Sequence, residues 1–280
     1  MTYRSLLVFL DQDTHCTART QAAIGLAKRL GCHLVGLAPT GLVDYPSTPE
    51  AAATLGNFAA LAWDALREQA ERVADRFRDA CHAAGLKSFE AVIDESDKAQ
   101  SLVRHAHCSD LTVLSQADPG SADHPSVQAV VEQVVLHSAR PTLIAPYAGS
   151  FEHPGTTAMV AWDDSREAAR AVSDALPLLR RAERVQVVSW NEKGAPRDAQ
   201  LRARLDALHR WLMWQGVRAE VGVETTGIGI AEAMLSRAAD LGADLIVMGA
   251  YGHARWAERM LGGATRGLLA AMTVPVLMSH

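Results

Sequence analysis

The chain has 280 residues, of which 49% are apolar, and it carries a formal net charge of −5 with a pI near 6.1. This length provides core for one large domain or two ordinary ones. The slightly acidic balance argues against nucleic acid and against an anionic membrane surface as the partner. No run of the sequence reaches the roughly 18 consecutive apolar residues that cross a bilayer, so no membrane span is expected.

Cysteine usage and the N-terminal residues indicate the compartment. The four cysteines include no CxxC pair, which fits reduced thiols. The first residues form a short β-like run, which predicts a first strand rather than a signal peptide. A cytoplasmic location is therefore expected. His105, His107 and Cys108 have metal-ligating side chains, but their compact spacing at a predicted helix end favours a structural role, and no metal site is predicted.

Apolar runs alternate with helical periodicity along the first half of the chain. Strands are predicted near residues 4–10, 33–38, 88–93, 110–115 and 141–145. Helices are predicted near residues 16–30, within 50–85, and near 97–107 and 125–138.

The second half shows the same alternation after a short polar, turn-rich linker at residues 149–155. Strands are predicted near residues 156–162, 184–190, 218–224, 243–248 and 274–278, and helices near 165–181, 198–215, 229–240 and 262–272. Strands separated by helices of this length predict parallel sheets that are covered on both faces. The fold class is therefore α/β, with two tandem doubly wound, Rossmann-like domains at residues 1–148 and 155–280.

The two halves are copies of one unit. Three matched pairs define the offsets between them: Asp110 with Asp244, Pro141 with Pro275, and Asp11 with Asp163. The first two pairs are offset by 134 residues (244 − 110 and 275 − 141) and the third by 152 (163 − 11). The first half therefore contains 18 extra residues (152 − 134), which are expected around residues 45–50 and in the alanine-rich segment that follows.

A glycine-rich loop follows the fourth strand of the second half and precedes a helix. Its spaced residues are Gly249, Gly252, Gly262, Gly263 and Thr265. Glycine lets a backbone approach an anion with no Cβ in the way, and the next helix presents free N–H groups and the positive end of its dipole. This order predicts a phosphate-binding loop. The alternative, from spacing alone, is that the glycines serve a tight turn and close helix packing.

The first half provides an internal comparison for this loop. Subtracting 134 from the four glycine positions gives Ser115, Asp118, Gln128 and Ala129, so the first half retains the frame without the glycines. Asp118 would place a carboxylate where an anion should bind, and Pro119 lacks a donor N–H. The second half is therefore predicted to contain the working loop, and the first half to be its structural twin.

The chain resembles the universal stress protein family, in its tandem two-domain form, over essentially its whole length. Nucleotide-binding members carry Gly-x2-Gly-x9-Gly-Ser/Thr after the fourth strand; Gly249, Gly252 and Gly262 match this pattern, and Gly263 replaces the hydroxyl residue. The resemblance implies a five-stranded parallel sheet of order 3-2-1-4-5 in each half. It also implies that an aspartate after the first strand, here Asp163, contacts the adenosine part of the ligand.

The resemblance implies further site residues around the same crevice. In the order 3-2-1-4-5, strands 1 and 4 flank the topological switch point, where ligands bind beyond the carboxyl ends of the strands. Ser189 and Trp190, which end the second strand of this half, are expected to line the base pocket, with packing as the alternative for Trp190. Thr265 is expected to contribute its hydroxyl. Arg255 and His253 are expected near the phosphates, with plain solvent exposure as the alternative.

Three hypotheses for the function follow. The first is a stress-response protein whose second domain binds ATP, with or without Mg²⁺, as a regulatory ligand. The second is a slow ATP hydrolase or autophosphorylating protein, although no catalytic base is evident at the loop and no Gly-x4-Gly-Lys-Ser/Thr motif occurs. The third is a structural or interaction protein with a vestigial nucleotide site. The apolar fifth strands, near 141–145 and 274–278, are expected at sheet edges, where an exposed edge invites pairing. Either the two halves mimic a dimer within one chain, or two chains form a homodimer through these edges.

Overall fold

Strands and helices alternate strictly along the first half of the chain. The computed structural model describes residues 2–41, 49–149, 151, 154–193, 200–252 and 263–280. The elements of the first half are β1 (Ser5–Phe9), α1 (Cys16–Leu30), β2 (His33–Pro39), α2 (Pro49–Ala83), β3 (Phe89–Asp94), α3 (Lys98–Ala106), β4 (Leu111–Ser115), α4 (His124–His137) and β5 (Thr142–Ala145).

The second half repeats this order. Its elements are β6 (Thr157–Ala161), α5 (Arg166–Leu179), β7 (Arg184–Glu192), α6 (Leu201–Trp214), β8 (Ala219–Thr226), α7 (Ile230–Leu241), β9 (Leu245–Gly249), α8 (Gly263–Ala271) and β10 (Val276–Ser279). The largest difference between the halves is α2, which has 35 residues where its counterpart α6 has 14. Part of the expected 18-residue expansion, at residues 42–48, lies outside the described residues.

The strands of both halves form one sheet. Its order among the described residues is β3-β2-β1-β4-β5-β10-β9-β6-β7-β8. Each half contributes five parallel strands in the order 3-2-1-4-5, as expected. The two halves are also in matching register, because Val8 lies opposite Val113 in β1 and β4, and Val160 lies opposite Val247 in β6 and β9. The valines of β1 and β6 are 152 residues apart (160 − 8), and those of β4 and β9 are 134 apart (247 − 113). These are the two offsets found between the halves in the sequence.

The fifth strands are not free edges: of the two expected arrangements, the structure shows the one in which the two halves mimic a dimer within one chain. β5 and β10 pair with each other in antiparallel orientation, with Leu143 opposite Leu277 and Ile144 opposite Val276. An apolar strand edge is satisfied once its N–H and C=O groups pair with another strand, and here that strand belongs to the same chain. The outer strands of the joined sheet are β3 and β8.

Helices cover both faces of the sheet and divide the core into two layers. α1, α2, α5 and α6 pack on one face, where their buried side chains include Leu26, Phe77, Val172 and Leu205. α3, α4, α7 and α8 pack on the other face, with Leu102, Val131, Met234 and Leu268. Among the described residues, no helix combines the length and the apolar composition that crossing a bilayer requires.

Candidate functional site

The crevice of the second half opens where β6 and β9 lie side by side. The chain leaves β6 toward α5 on one side and leaves β9 into the glycine loop on the other. These are strands 1 and 4 of the half, so the crevice is its topological switch point, the usual place for a ligand in an open α/β sheet. The structure therefore brings Asp163, after β6, to the same edge of the sheet as Gly249, at the end of β9.

Gly249 is required by a close approach of backbone. A Cβ atom built on it would lie 2.5 Å from the main-chain nitrogen of Ala168 and 2.6 Å from the carbonyl carbon of Glu167. Both atoms belong to the first turn of α5, so they cannot rotate away as a side chain could. The absent side chain lets the N-terminus of α5 pack directly against the start of the glycine loop.

Gly252 faces the side chain of Glu167. A Cβ atom on Gly252 would lie 2.6 Å from Glu167 Oε2. Between the two glycines, Tyr251 has a φ of 57°, a left-handed conformation that is unusual for a bulky residue and recurs at ligand-binding sites. The loop is therefore held in a specific and strained path beside the N-terminus of α5.

Glu167 is a buried charged residue beside the glycine loop that the sequence analysis did not identify. Its side chain is only 3% exposed, and its Oε1 accepts a hydrogen bond from Nε of Arg166. Burial alone would raise the pKa of this carboxyl group, but the hydrogen bonds from Arg166 and from the main-chain N–H of Glu167 hold that pKa below its ordinary value. The group is therefore a buried, ionised carboxylate next to the glycine loop. The sequence carried one signal for Glu167: it lies 152 residues after His15, which is the offset between the starts of the two halves.

Asp163 is exposed and held in place by its neighbours. Its Oδ1 accepts hydrogen bonds from the main-chain N–H of Ser165 (3.0 Å) and from the Ser165 hydroxyl (2.6 Å). Ser165 in turn caps α5, because its Oγ accepts from the N–H of Ala168 at 3.1 Å. The Asp163 carboxylate is thus fixed at the mouth of the crevice by the same turn that starts α5.

Thr265 and Gly263 begin the helix that follows the loop. Gly263 is exposed at the start of α8, and a Cβ atom there would meet nothing within 4 Å. Thr265 is buried (3% exposed), and its Oγ1 accepts a hydrogen bond from the N–H of Tyr251 at 3.4 Å. The Thr265 hydroxyl therefore connects α8 to the first part of the glycine loop.

The remaining predicted site residues fall into two groups. Ser189 is buried within β7, which continues past the expected end to Glu192, and Trp190, half-buried, packs against the core of the second face. This packing favours the structural interpretation of Trp190. His253, Arg255 and Gly262 lie outside the described residues.

The first half fills its equivalent crevice with an arginine. Arg19 of α1 is 2% exposed. Its guanidinium donates to Asp11 Oδ1 (2.8 Å) and to Ser115 Oγ (2.7 Å), and its Nε donates to the carbonyl oxygen of Phe9 (2.7 Å). Burial disfavours the charged form of Arg19, but the Asp11 carboxylate raises the pKa of the guanidinium above its ordinary value. Asp11 and Ser115 are the counterparts of Asp163 and Gly249, so one internal cation joins the two sides of this crevice.

A second contact closes the same crevice further out. His15 Nε2 lies 3.3 Å from Asp118 Oδ2. By the offsets of 152 and 134, His15 corresponds to Glu167 and Asp118 to Gly252. The hydrogen bond from the main-chain N–H of Gly120 lowers the pKa of the Asp118 carboxyl, and His15 adds to this effect. The first half thus has side chains that bond across the crevice at the positions where the second half has glycines.

The fold and the site define a class of protein, a tandem doubly wound α/β protein in which side chains bridge the first switch-point crevice and glycines lie at the described part of the second. Residues 156–280 match the model of the universal stress protein family. No curated protein matches the sequence. A universal stress protein from Archaeoglobus fulgidus DSM 4304 is similar in structure, with a TM-score of 0.73 and 17% identity over 98% of this chain and 95% of that one. A protein from Pseudomonas aeruginosa UCBPP-PA14, described as a candidate universal stress protein, has a TM-score of 0.61 and 16% identity over 99% and 93% of the two chains.

The resemblance inferred from the sequence is confirmed. The second half of the chain matches the universal stress protein family, and the first half repeats the fold of that half in the same chain.

Proposed function

We propose that the protein is a cytoplasmic stress-response protein whose second half binds ATP as a regulatory ligand, while its first half binds none. The observation that carries this proposal is the difference between two crevices with the same strand order. In the second half, Gly249 and Gly252 place no side chain at the switch point, the first turn of α5 packs against both of them, and the helix α8 follows. In the first half, Arg19 and the pair of His15 and Asp118 occupy the corresponding places.

The proposed ligand contacts follow from the positions of the residues. Main-chain N–H groups of the loop at Gly249 and Gly252, with the N-terminus of α8 at Gly263, would receive the phosphates. Asp163 would accept hydrogen bonds from the ribose hydroxyls, and Ser189 would lie beside the base. Thr265 would position the loop through Tyr251 rather than bind a phosphate. His253, Arg255 and Gly262 remain predicted members of the site, as do the domain limits of 1–148 and 155–280.

Titration with ATP is the direct test of this proposal. Isothermal titration calorimetry of the full chain with ATP and MgCl2 should give one site per chain. Gly252→Glu should abolish this binding, because the new side chain would collide with Glu167 and add a second negative charge to the crevice. Gly227→Glu is the matched control, since Gly227 is an exposed loop glycine of the same half that follows β8. Two sites per chain, no site, or equal binding by Gly252→Glu would contradict the proposal.

A vestigial site is the second candidate function, and Gly263 is the observation that favours it. A serine at position 263 would supply the hydroxyl donor that the family pattern has there, and nothing lies within 4 Å of the Cβ atom it would add. Gly263→Ser is therefore expected to tighten ATP binding about fivefold, or about 1 kcal/mol, the typical net value of one hydrogen bond. Calorimetry on the two proteins measures this difference. Binding that is absent in both proteins would support the vestigial site instead.

A further inference from the structure

Each half buries one charged side chain at its switch-point crevice, and the two charges are opposite. Among the described residues, Arg19 and Glu167 are the buried ionisable side chains of the switch-point crevices. Arg19 has its counter-charge in Asp11, which belongs to the same half. Glu167 forms its ion pair with Arg166, whose own side chain is 86% exposed and extends toward solvent. Within the described part of the second half, the buried negative charge is thus paired with an exposed, hydrated cation.

The two halves also differ in the loop residue that faces Glu167, or its counterpart His15, across the crevice. In the first half, His15 and Asp118 meet at 3.3 Å, so the side chain from the helix and the side chain from the loop form a pair. In the second half, Glu167 Oε2 points to Gly252, which has no side chain to pair with it. The loop residue supplies a partner side chain in the first half, whereas in the second half it has no side chain and the Glu167 carboxylate packs against its main chain.

The ionised carboxylate of Glu167 disfavours a strongly negative ligand at the loop. A metal-free triphosphate would bring several negative charges to a crevice where Glu167 is already ionised, and like charges repel strongly when both are partly removed from water. Mg²⁺ is commonly held by one or two carboxylates together with the phosphates of a substrate. The described residues contain no group of three side chains able to hold a metal by themselves. The cation would therefore arrive with the nucleotide and find one carboxylate oxygen, Oε2 of Glu167, beside the loop.

We propose that Glu167 is a specificity-determining residue that makes the crevice of the second half select the divalent-cation complex of a nucleoside triphosphate over the metal-free triphosphate. This inference rests on the proposed function, because it requires the triphosphate to bind at the glycine loop. It adds to that function the residue, Glu167, that makes nucleotide binding depend on the divalent cation. The carboxylate repels the bare phosphates and attracts the cation that neutralises them.

The test compares ATP affinity with excess MgCl2 and with excess EDTA, by calorimetry on the full chain. The original protein should bind ATP at least about tenfold more weakly in EDTA, which corresponds to about 1.4 kcal/mol. Glu167→Gln keeps the size of the side chain and removes its charge, so its two affinities should agree within about threefold. Glu232→Gln is the matched control, because Glu232 is also an acid in the first turn of a helix of this half but is exposed. It should retain the ratio of the original protein.

Each outcome of the test has a defined meaning. Equal affinity of the original protein in MgCl2 and EDTA would overturn the role of Glu167 and leave the ATP site standing, as would a Glu167→Gln variant that keeps the original ratio. Absence of binding in both solutions would overturn the proposed function itself. If circular dichroism shows that Glu167→Gln does not fold, Arg166→Gln decides the question. This variant removes the partner of Glu167 and should increase the dependence on the cation, and an unchanged ratio would overturn the inference.

Discussion

Replacement of Arg19 by methionine is expected to lower the free energy of unfolding by about 3 kcal/mol, because removing one partner of a buried ion pair leaves the other uncompensated. Methionine fills much of the same volume but donates no hydrogen bond. Asp11, whose side chain is 14% exposed, would lose its cation, and the carbonyl oxygen of Phe9 and the hydroxyl of Ser115 would lose their donor. Urea denaturation followed by circular dichroism measures this change.

The control for this prediction is an arginine whose ion pair lies in solvent. Arg78 pairs with Asp75 on α2, and their side chains are 42% and 69% exposed. Arg78→Met should change the free energy of unfolding by less than about 0.5 kcal/mol, since exposed ion pairs contribute little. Equal effects of the two replacements would mean that Arg19 does not hold the first crevice closed.

Replacement of Gly249 by alanine is expected to destabilise the protein by about 3 kcal/mol and to eliminate ATP binding, because overpacking against fixed backbone has no cheap relief. The added Cβ atom would lie 2.5 Å from the nitrogen of Ala168, so α5 and the glycine loop would have to separate. This separation would move Asp163 and the loop apart. Urea denaturation and ATP titration of the same variant measure the two losses together.

Gly222→Ala is the matched control for this variant. Gly222 lies in the outer strand β8, and a Cβ atom there would meet nothing within 4 Å. This replacement should leave both stability and ATP affinity close to those of the original protein, within about 0.5 kcal/mol. Normal stability of Gly249→Ala would contradict the close approach between α5 and the loop.

The sequence predicted most of the fold because its signals are local. A buried strand appears as a continuous apolar run, so the strand predicted near residues 243–248 is found at Leu245–Gly249. Helical periodicity placed α6 near 198–215, and it spans Leu201–Trp214. The equal offsets of the two halves predicted the matched register of β1 with β4 and of β6 with β9, because each reflects a conserved loop length within the chain.

The joining of the two sheets could not be predicted from local pattern. An apolar fifth strand indicates that its edge will be covered, but it does not indicate by which strand. In the structure β10 covers β5, so the pairing occurs within one chain rather than between two.

The charged residues of the crevices were missed for a related reason. Arg19 and Glu167 lie on helices, where a charged side chain normally indicates a solvent-facing position. Their burial depends on what the neighbouring strand-end loop presents: Ser115 receives Arg19, and Gly252 leaves space for Glu167. The glycine spacing itself was visible, whereas the side chains that face it become apparent only when the strands are in register.

The central claim is that the second crevice accepts ATP and the first is closed by its own side chains. A crystal structure of the protein with ATP and MgCl2 tests this claim most directly. We expect density for one nucleotide per chain, with its phosphates against the main chain at Gly249 and Gly252, and with Arg19 still bonded to Asp11 and Ser115. A nucleotide in the first half with Arg19 displaced, or a second crevice that remains without nucleotide at saturating ATP, would contradict it.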